Sequence, residues 1–281
     1  LWFPVEDTEV TPVDVSVLVP VVGPAVDPLD PAAAEASLAA ASSTDGRLSK
    51  VLTSTEDLDD VGWAVDPSLV QEETPADGGD ASASAGALSS GPSERIVDGA
   101  ADREVFALPA DDQDVVALVA AGRPVPSPPT LSGGSGTWRT DLSWPAEDTP
   151  DARTLSAVTA AGASTVVAAP GSLPPSTTLS YTPSSRASVT TSSGEVTALV
   201  PDGPLSAQLT SAQTGTAVSA RQRMLAELAI VSRERPAEGR HLLLTAPRDW
   251  APDPAVARAV MLVSDGRSEE RRVGKECRSR W

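Results

Sequence analysis

The sequence predicts an α/β domain whose parallel strands form an incomplete or irregular (β/α) barrel. An open doubly wound sheet is the alternative, and long disordered loops are expected on either architecture. Three observations predict this. Dense β-branched runs such as residues 15–22 read as strands buried on both faces. Amphipathic helical stretches lie between these runs. About seven strands alternate with helices, which favours a ring of βα units over an open sheet.

The elements follow in order. Residues 15–22 form the first strand. Leu48, Val51 and Leu52, at i, i+3 and i+4, mark a short helix, and 61–65 form the next strand. Strand 105–108 leads to helix 112–121, which turns Val115, Leu118 and Val119 inward. Gly122 stands just past its end, where a left-handed residue closes a helix. A strand at 140–144 and a helix at 151–161, stopped by Gly162, precede strand 164–168. After strand 197–200 comes the longest helix, 217–235. Its Val218, Leu225, Leu228 and Ala229 share a face, and Pro236 stops it. Strand 241–245 is followed by helix 254–263, apolar at Val256, Ala259, Val260 and Val263.

Stretches 74–99 and 124–136 are rich in Gly, Ser and Pro and read as mobile insertions. A third insertion, 171–194, is rich in Ser and Thr, contains Tyr181, and alternates in a way that suits an edge hairpin.

Composition narrows the chemistry. The chain has 281 residues, net charge −18, one Cys and one His. A single Cys excludes an internal disulfide framework and a Cys-based zinc site, and a single His excludes a poly-His metal site. No cofactor and no metal are expected. The carboxylate group Asp57, Asp59 and Asp60 lacks the Gly and spacing of a calcium loop and reads as a solvated turn. Strong acidity argues against a nucleic-acid partner. No apolar run reaches the roughly 18 residues of a spanning helix. Gly-x-Ser-x-Gly, P-loop and Gly-x-Gly-x-x-Gly motifs are all absent. A Ser–His–Asp triad would need His241, which reads as the first residue of a buried strand.

The last fifteen residues, Arg267 to Trp281, resemble along their whole length the in-frame translation of a common short-read sequencing adapter. They are set aside from fold reasoning as an artefactual tail. Without them, residues 1–266 carry 15 basic and 36 acidic side chains, net −21, and no Cys. Residues 1–120 alone hold 24 acidic and 4 basic groups. That excess reads as a solvated acidic surface, or as a means of binding cations or repelling an anionic wall polymer. The expected layout is a fragment edge at 1–11 and a single α/β domain at 12–266.

In parallel α/β folds the functional face lies at the carboxyl ends of the strands. Five expected strand ends here carry an acidic residue near a Pro. They are Asp66-Pro67, Pro109 with Asp111 and Asp112, Pro145 with Glu147 and Asp148, Pro201-Asp202, and Pro247 with Asp249. Carboxylates among Asp66, Asp112, Asp114 and Asp249 could act as acid and base on a glycosidic bond if the domain is an enzyme. The plainer reading is capping and turn chemistry. Trp63, Trp144, Arg248 and Trp250, near the same ends, are the candidate ligand-binding residues.

Several of these blocks, taken together, resemble a known family. They are Gly62-Trp63-Ala64-Val65-Asp66-Pro67-Ser68-Leu69, then Leu108-Pro109-Ala110-Asp111-Asp112-Gln113-Asp114-Val115, then Leu142-Ser143-Trp144-Pro145-Ala146 running on to Ala169. Arg221 to Glu227 and Pro247-Arg248-Asp249-Trp250 complete the set. In this order they resemble an uncharacterised family of actinobacterial cell-envelope proteins, secreted or membrane-anchored, typically encoded beside the lipid II flippase. Ala110 stands where the family pattern has Tyr, and Gln113 where it has Pro. The resemblance implies an extracytoplasmic location and a membrane anchor further C-terminal. It implies no established activity. The function expected is a non-catalytic domain binding a cell-wall glycan or an envelope protein. A carboxylate-dependent glycan hydrolase and a structural spacer between membrane and wall are the alternatives.

An independently assembled gene is expected to lack codons for residues 267–281. The same tail in such a gene overturns the adapter reading.

Overall fold

The computed structural model describes residues 13–25, 27, 29–70, 91–133, 136–146, 150–210, 216–235 and 239–264. The chain opens with strand β1 (Val13–Val21), helices α1 (Pro31–Ser42) and α2 (Arg47–Thr55), strand β2 (Val61–Val65) and helix α3 (Pro92–Gly99). Strand β3 (Val105–Ala107), helix α4 (Val115–Ala120), the two-residue strands β4 (Ser132–Gly133), β5 (Gly136–Thr137) and β6 (Leu142–Ser143), and helix α5 (Ala152–Ala160) follow. The remainder comprises β7 (Thr165–Val167), β8 (Arg186–Thr191), β9 (Gly194–Leu199), α6 (Gly203–Thr210), α7 (Ala217–Val231), β10 (Arg240–Thr245) and α8 (Pro254–Ser264).

The architecture is mixed α/β with parallel sheets and no closed barrel. One sheet has the order β10-β1-β2-β3, and the other β6-β7-β9-β8. All pairings are parallel except β8 on β9, a hairpin that has its first strand in the 171–194 stretch where one was expected and its second just beyond, and the small β4–β5 hairpin.

Two seams join the sheets. At the first, Ala107 N donates to Arg139 O (2.7 Å) and Arg139 N to Val105 O (2.9 Å), just ahead of β6. At the second, Ser185 N donates to His241 O (2.9 Å) and Asp202 N to Leu243 O (2.8 Å). The parallel strands thus succeed one another in chain order around an incomplete ring.

Side-chain alternation explains the layering. Along β1, Val17, Val19 and Val21 pack outward against helices, whereas Leu18 joins an inner cluster. That inner cluster also takes Ala64 from β2, Phe106 from β3, Leu142 from β6, Val167 from β7 and Leu243 from β10, with Leu199 of β9 packed against it. Each parallel strand therefore gives it one side chain. The outer core lies between the first sheet and helices α2, α3, α6, α7 and α8. A third cluster joins α4 and α5 to β7 and β9 through Val115, Leu155, Val158, Val166 and Val196.

Gly122 (φ +67°) and Gly162 (φ +105°) close α4 and α5 in the left-handed region, as their positions in the sequence predict. Other expectations change. Part of the 74–99 insertion is helix α3, whose Ile96 is buried; 74–90 lie outside the described residues. Helix α7 turns Ala220, Met224 and Val231 inward, with the expected Leu225 and Leu228 packed partly buried beside them. It leaves Val218 71% exposed and Ala229 exposed, so its buried face only partly matches the one expected. Helices α1 and α6 have no counterpart in the sequence reading. Helix α1 buries none of its residues, so it carries no apolar stripe to read.

Arg103 is a staple invisible to pattern reading. Its guanidinium donates to the carbonyls of Thr55, Glu56, Leu58, Val61 and Gly99, and lies 3.9 Å from the centroid of the Trp63 ring. It binds the end of α2, the start of β2 and the end of α3 together. No helix among the described residues is long and apolar enough to cross a membrane.

Removing an inner-cluster side chain leaves a void bordered by several strands. Leu243→Ala is expected to cost about 2–5 kcal/mol in chemical denaturation, and Val218→Ala less than about 0.5 kcal/mol. Equal losses from the two would place the core elsewhere.

Candidate functional site

The carboxyl ends of the strands do carry a cavity. It has a volume of about 340 Å³ and opens at the ends of β6, β7, β9 and β10. Its wall includes Trp144, Arg248, Thr245, Ser206 and the prolines Pro170 and Pro201. Helix α6 forms one side. Asp202 fixes that helix by accepting from Leu205 N (2.8 Å), and Ser206 Oγ accepts from Thr245 N (3.2 Å) at the end of β10.

Arg248 is the only charged side chain among the described residues of the wall. It grips Asp112 with two donors: Nε bonds Oδ2, and Nη2 bonds Oδ1 at 2.9 Å. Nη2 also donates to the carbonyl of Trp144 (2.7 Å), and the guanidinium lies 5.5 Å from the Trp144 ring centroid. One ion pair thus joins the residues after β3, β6 and β10.

Arg47 ties in the end of β1. Its Nη2 donates to Val22 O (2.5 Å) and Gly23 O (3.0 Å), and its Nη1 to Arg248 O (2.8 Å). Burial lowers its pKa, and the charges of Asp249 and Asp112 oppose that shift.

The turn that presents Asp112 is strained. Asp111 (φ 60°) and Asp112 (φ 44°) both occupy the left-handed region, at a cost of about 1 kcal/mol or more each. Asp66, at the end of β2, holds the turn in place: its Oδ1 accepts from Asp111 N (3.0 Å) and Ser68 N (3.0 Å). Ser68 Oγ accepts from Asp111 N as well (2.9 Å). Burial pushes the Asp66 pKa up, and these hydrogen bonds oppose the rise.

The eight expected site residues separate clearly. Trp144 and Arg248 line the cavity, and Asp112 supports Arg248 from behind. Asp66 is 5% exposed and acts as the anchor of a turn. Asp114 caps α4, accepting from Val116 N (2.9 Å) and Ala117 N (3.1 Å), which is the plainer reading of that carboxylate. Asp249 is exposed outside the cavity wall.

Trp63 and Trp250 are corrected. Trp63 is fully buried under α3, donating to Thr55 Oγ1 (3.1 Å), and Trp250 is 3% exposed in the outer core, so neither presents a face to a ligand. Both odd-numbered positions of β2 beside Ala64 point outward, and Trp63 is one of them. His241 is also corrected. It is exposed rather than buried, and its Nε2 lies 2.7 Å from Ser16 Oγ on the neighbouring strand. That pair stands at the opposite, amino-terminal end of the strands.

None of the four carboxylates expected for glycosidic cleavage lines the cavity, so a facing acid and base are missing from its described wall. Glu147 and Asp148 lie outside the described residues. No group of three or more His, Cys, Asp and Glu positioned for a metal occurs among the described residues. Asp57, in the expected solvated turn, pairs with Arg258.

Arg47, Ser206 and helix α6 were not legible as site elements. The Pro201-Asp202 block marked the right strand end, but nothing distinguished it from an ordinary cap.

The raised pKa of Asp66 gives a signed pH dependence. The folded form holds its proton more tightly than the unfolded chain. Stability from this group is therefore greatest below the unfolded value of about 3.9 and declines as pH rises through the higher folded value. Asp66→Asn keeps an acceptor for Asp111 N and is expected to flatten that decline in denaturation midpoints measured against pH. An unchanged profile would remove Asp66 as its source.

No curated protein and no solved structure matches the chain significantly. One family model does match, described as a family of unknown function (DUF6049), over residues 1–263. The chain therefore belongs to this family of unknown function.

Proposed function

We propose that the domain is an extracytoplasmic cell-envelope module that binds a glycan in the strand-end cavity without cleaving it. An anchor outside residues 1–281 would hold it at the membrane. The observation that carries the reading is the wall itself. A half-buried indole and a guanidinium stand beside hydroxyl-bearing residues, with no carboxylate among the described lining residues.

An indole offers a flat apolar face to the C–H side of a sugar ring. The guanidinium and hydroxyls offer hydrogen bonds to its edge. Cleavage would need two carboxyl groups facing each other across the sugar; of the expected set, Asp66, Asp112 and Asp114 are spent on a turn, an ion pair and a helix cap, and Asp249 stands outside the wall. A spacer needs no cavity at this face.

Sedimentation with insoluble peptidoglycan and with arabinogalactan tests the proposal. Retention on one of them, reduced about tenfold by Trp144→Ala, is the expected result. Absence of retention on both overturns it.

A further inference from the structure

We infer that the cavity selects an uncharged glycan over an acidic one, and that Asp112 sets this preference. The inference rests on the glycan-binding reading and adds the class of ligand.

Arg248 has five N–H groups to place. Nε is directed at Asp112 Oδ2, and Nη2 serves Asp112 Oδ1 and Trp144 O. Only Nη1 has no hydrogen-bond partner among the described residues. Arg248 lines the cavity, so the wall carries a guanidinium whose positive charge is already matched by a bidentate carboxylate. The Arg248 and Asp112 side chains are 22% and 15% exposed, so solvent screens the pair only in part.

An acidic sugar entering here would have to share the guanidinium with Asp112. Asp249, exposed outside the wall and close enough to act on Arg47, adds a second negative charge to the surroundings. The second cation nearby gives no relief, because Arg47 spends both Nη groups on backbone carbonyls. At longer range the net charge of −21 on residues 1–266 repels an anion.

A sugar hydroxyl meets none of these obstacles. It accepts from Nη1, and another can accept from Ser206, whose Oγ takes Thr245 N as donor and keeps its own proton to give.

The pairing is enforced by the fold. Asp112 reaches Arg248 from a turn with two consecutive left-handed aspartates, and Asp66 and Ser68 hold that turn through Asp111 N. A relaxed turn would carry no such backbone cost.

Calorimetric titration at low and high salt, with a neutral arabinogalactan oligosaccharide and an oligogalacturonate of equal length, tests the inference. The unaltered protein is expected to bind the neutral probe at least about tenfold more tightly, with little salt dependence. Asp112→Asn leaves the guanidinium uncompensated. It is expected to shrink that ratio about tenfold or more and to make oligogalacturonate binding salt-sensitive.

Equal affinities in the unaltered protein, or an unchanged ratio in Asp112→Asn, overturn the selectivity while leaving glycan binding intact. Binding of neither probe overturns both. Near-UV circular dichroism verifies the fold of the variant. If Asp112→Asn does not fold, Arg248→Gln serves instead. It is expected to weaken the neutral probe with no gain for the acidic one, and a gain for the acidic probe overturns the inference.

Discussion

The constraint on which the structure depends is the convergence of one inward side chain from each parallel strand on a single apolar cluster. Leu18, Ala64, Phe106, Leu142, Val167 and Leu243, with Leu199 beside them, leave no strand able to shift register alone. A slip by one residue would turn Leu243 outward and bring Leu242 or Leu244 in, emptying the outer core at the same stroke. This convergence brings the strand ends together at one face. Asp66, Asp112, Trp144 and Arg248 come from separate segments and meet only because their strands do.

Electrostatics at that face works by compensation. Arg47 is buried enough to suffer desolvation, and it is retained because three carbonyls and two nearby carboxylates answer it. Asp66 is buried without a cation and is answered by backbone N–H groups instead. Among the described residues, most of the acidic side chains of the first 120 residues stay on the surface, and the few carboxylates drawn inward do positional work.

Much of the fold was legible in the sequence because its signals are local. The β-branched run of β1, the glycines closing α4 and α5, and the cadence of strands and helices each rest on neighbouring residues. The site was legible in part. Acidic residues near prolines marked the correct ends of the strands, and Trp144 and Arg248 proved to line the cavity. What failed was everything decided by the face of a strand. Trp63 sits one position before Ala64, and that single step separates the helix layer from the interior. Periodicity could not settle this, since β2 is apolar on both faces. Arg103 and Arg47 were unreadable for another reason: their partners are backbone carbonyls, which leave no trace in composition.

Sheets that do not fuse into a closed barrel keep edges, and unpaired strand edges recruit other chains. Here they offer little to recruit. The side of β6 away from β7 is met by β3 through Arg139, and β8 alternates exposed and half-buried positions with Arg186 at its start and Ser and Thr along it. The polar hairpin that interrupts the parallel pattern thereby guards the second sheet against edge-to-edge aggregation, a protection that a closed barrel obtains from closure alone.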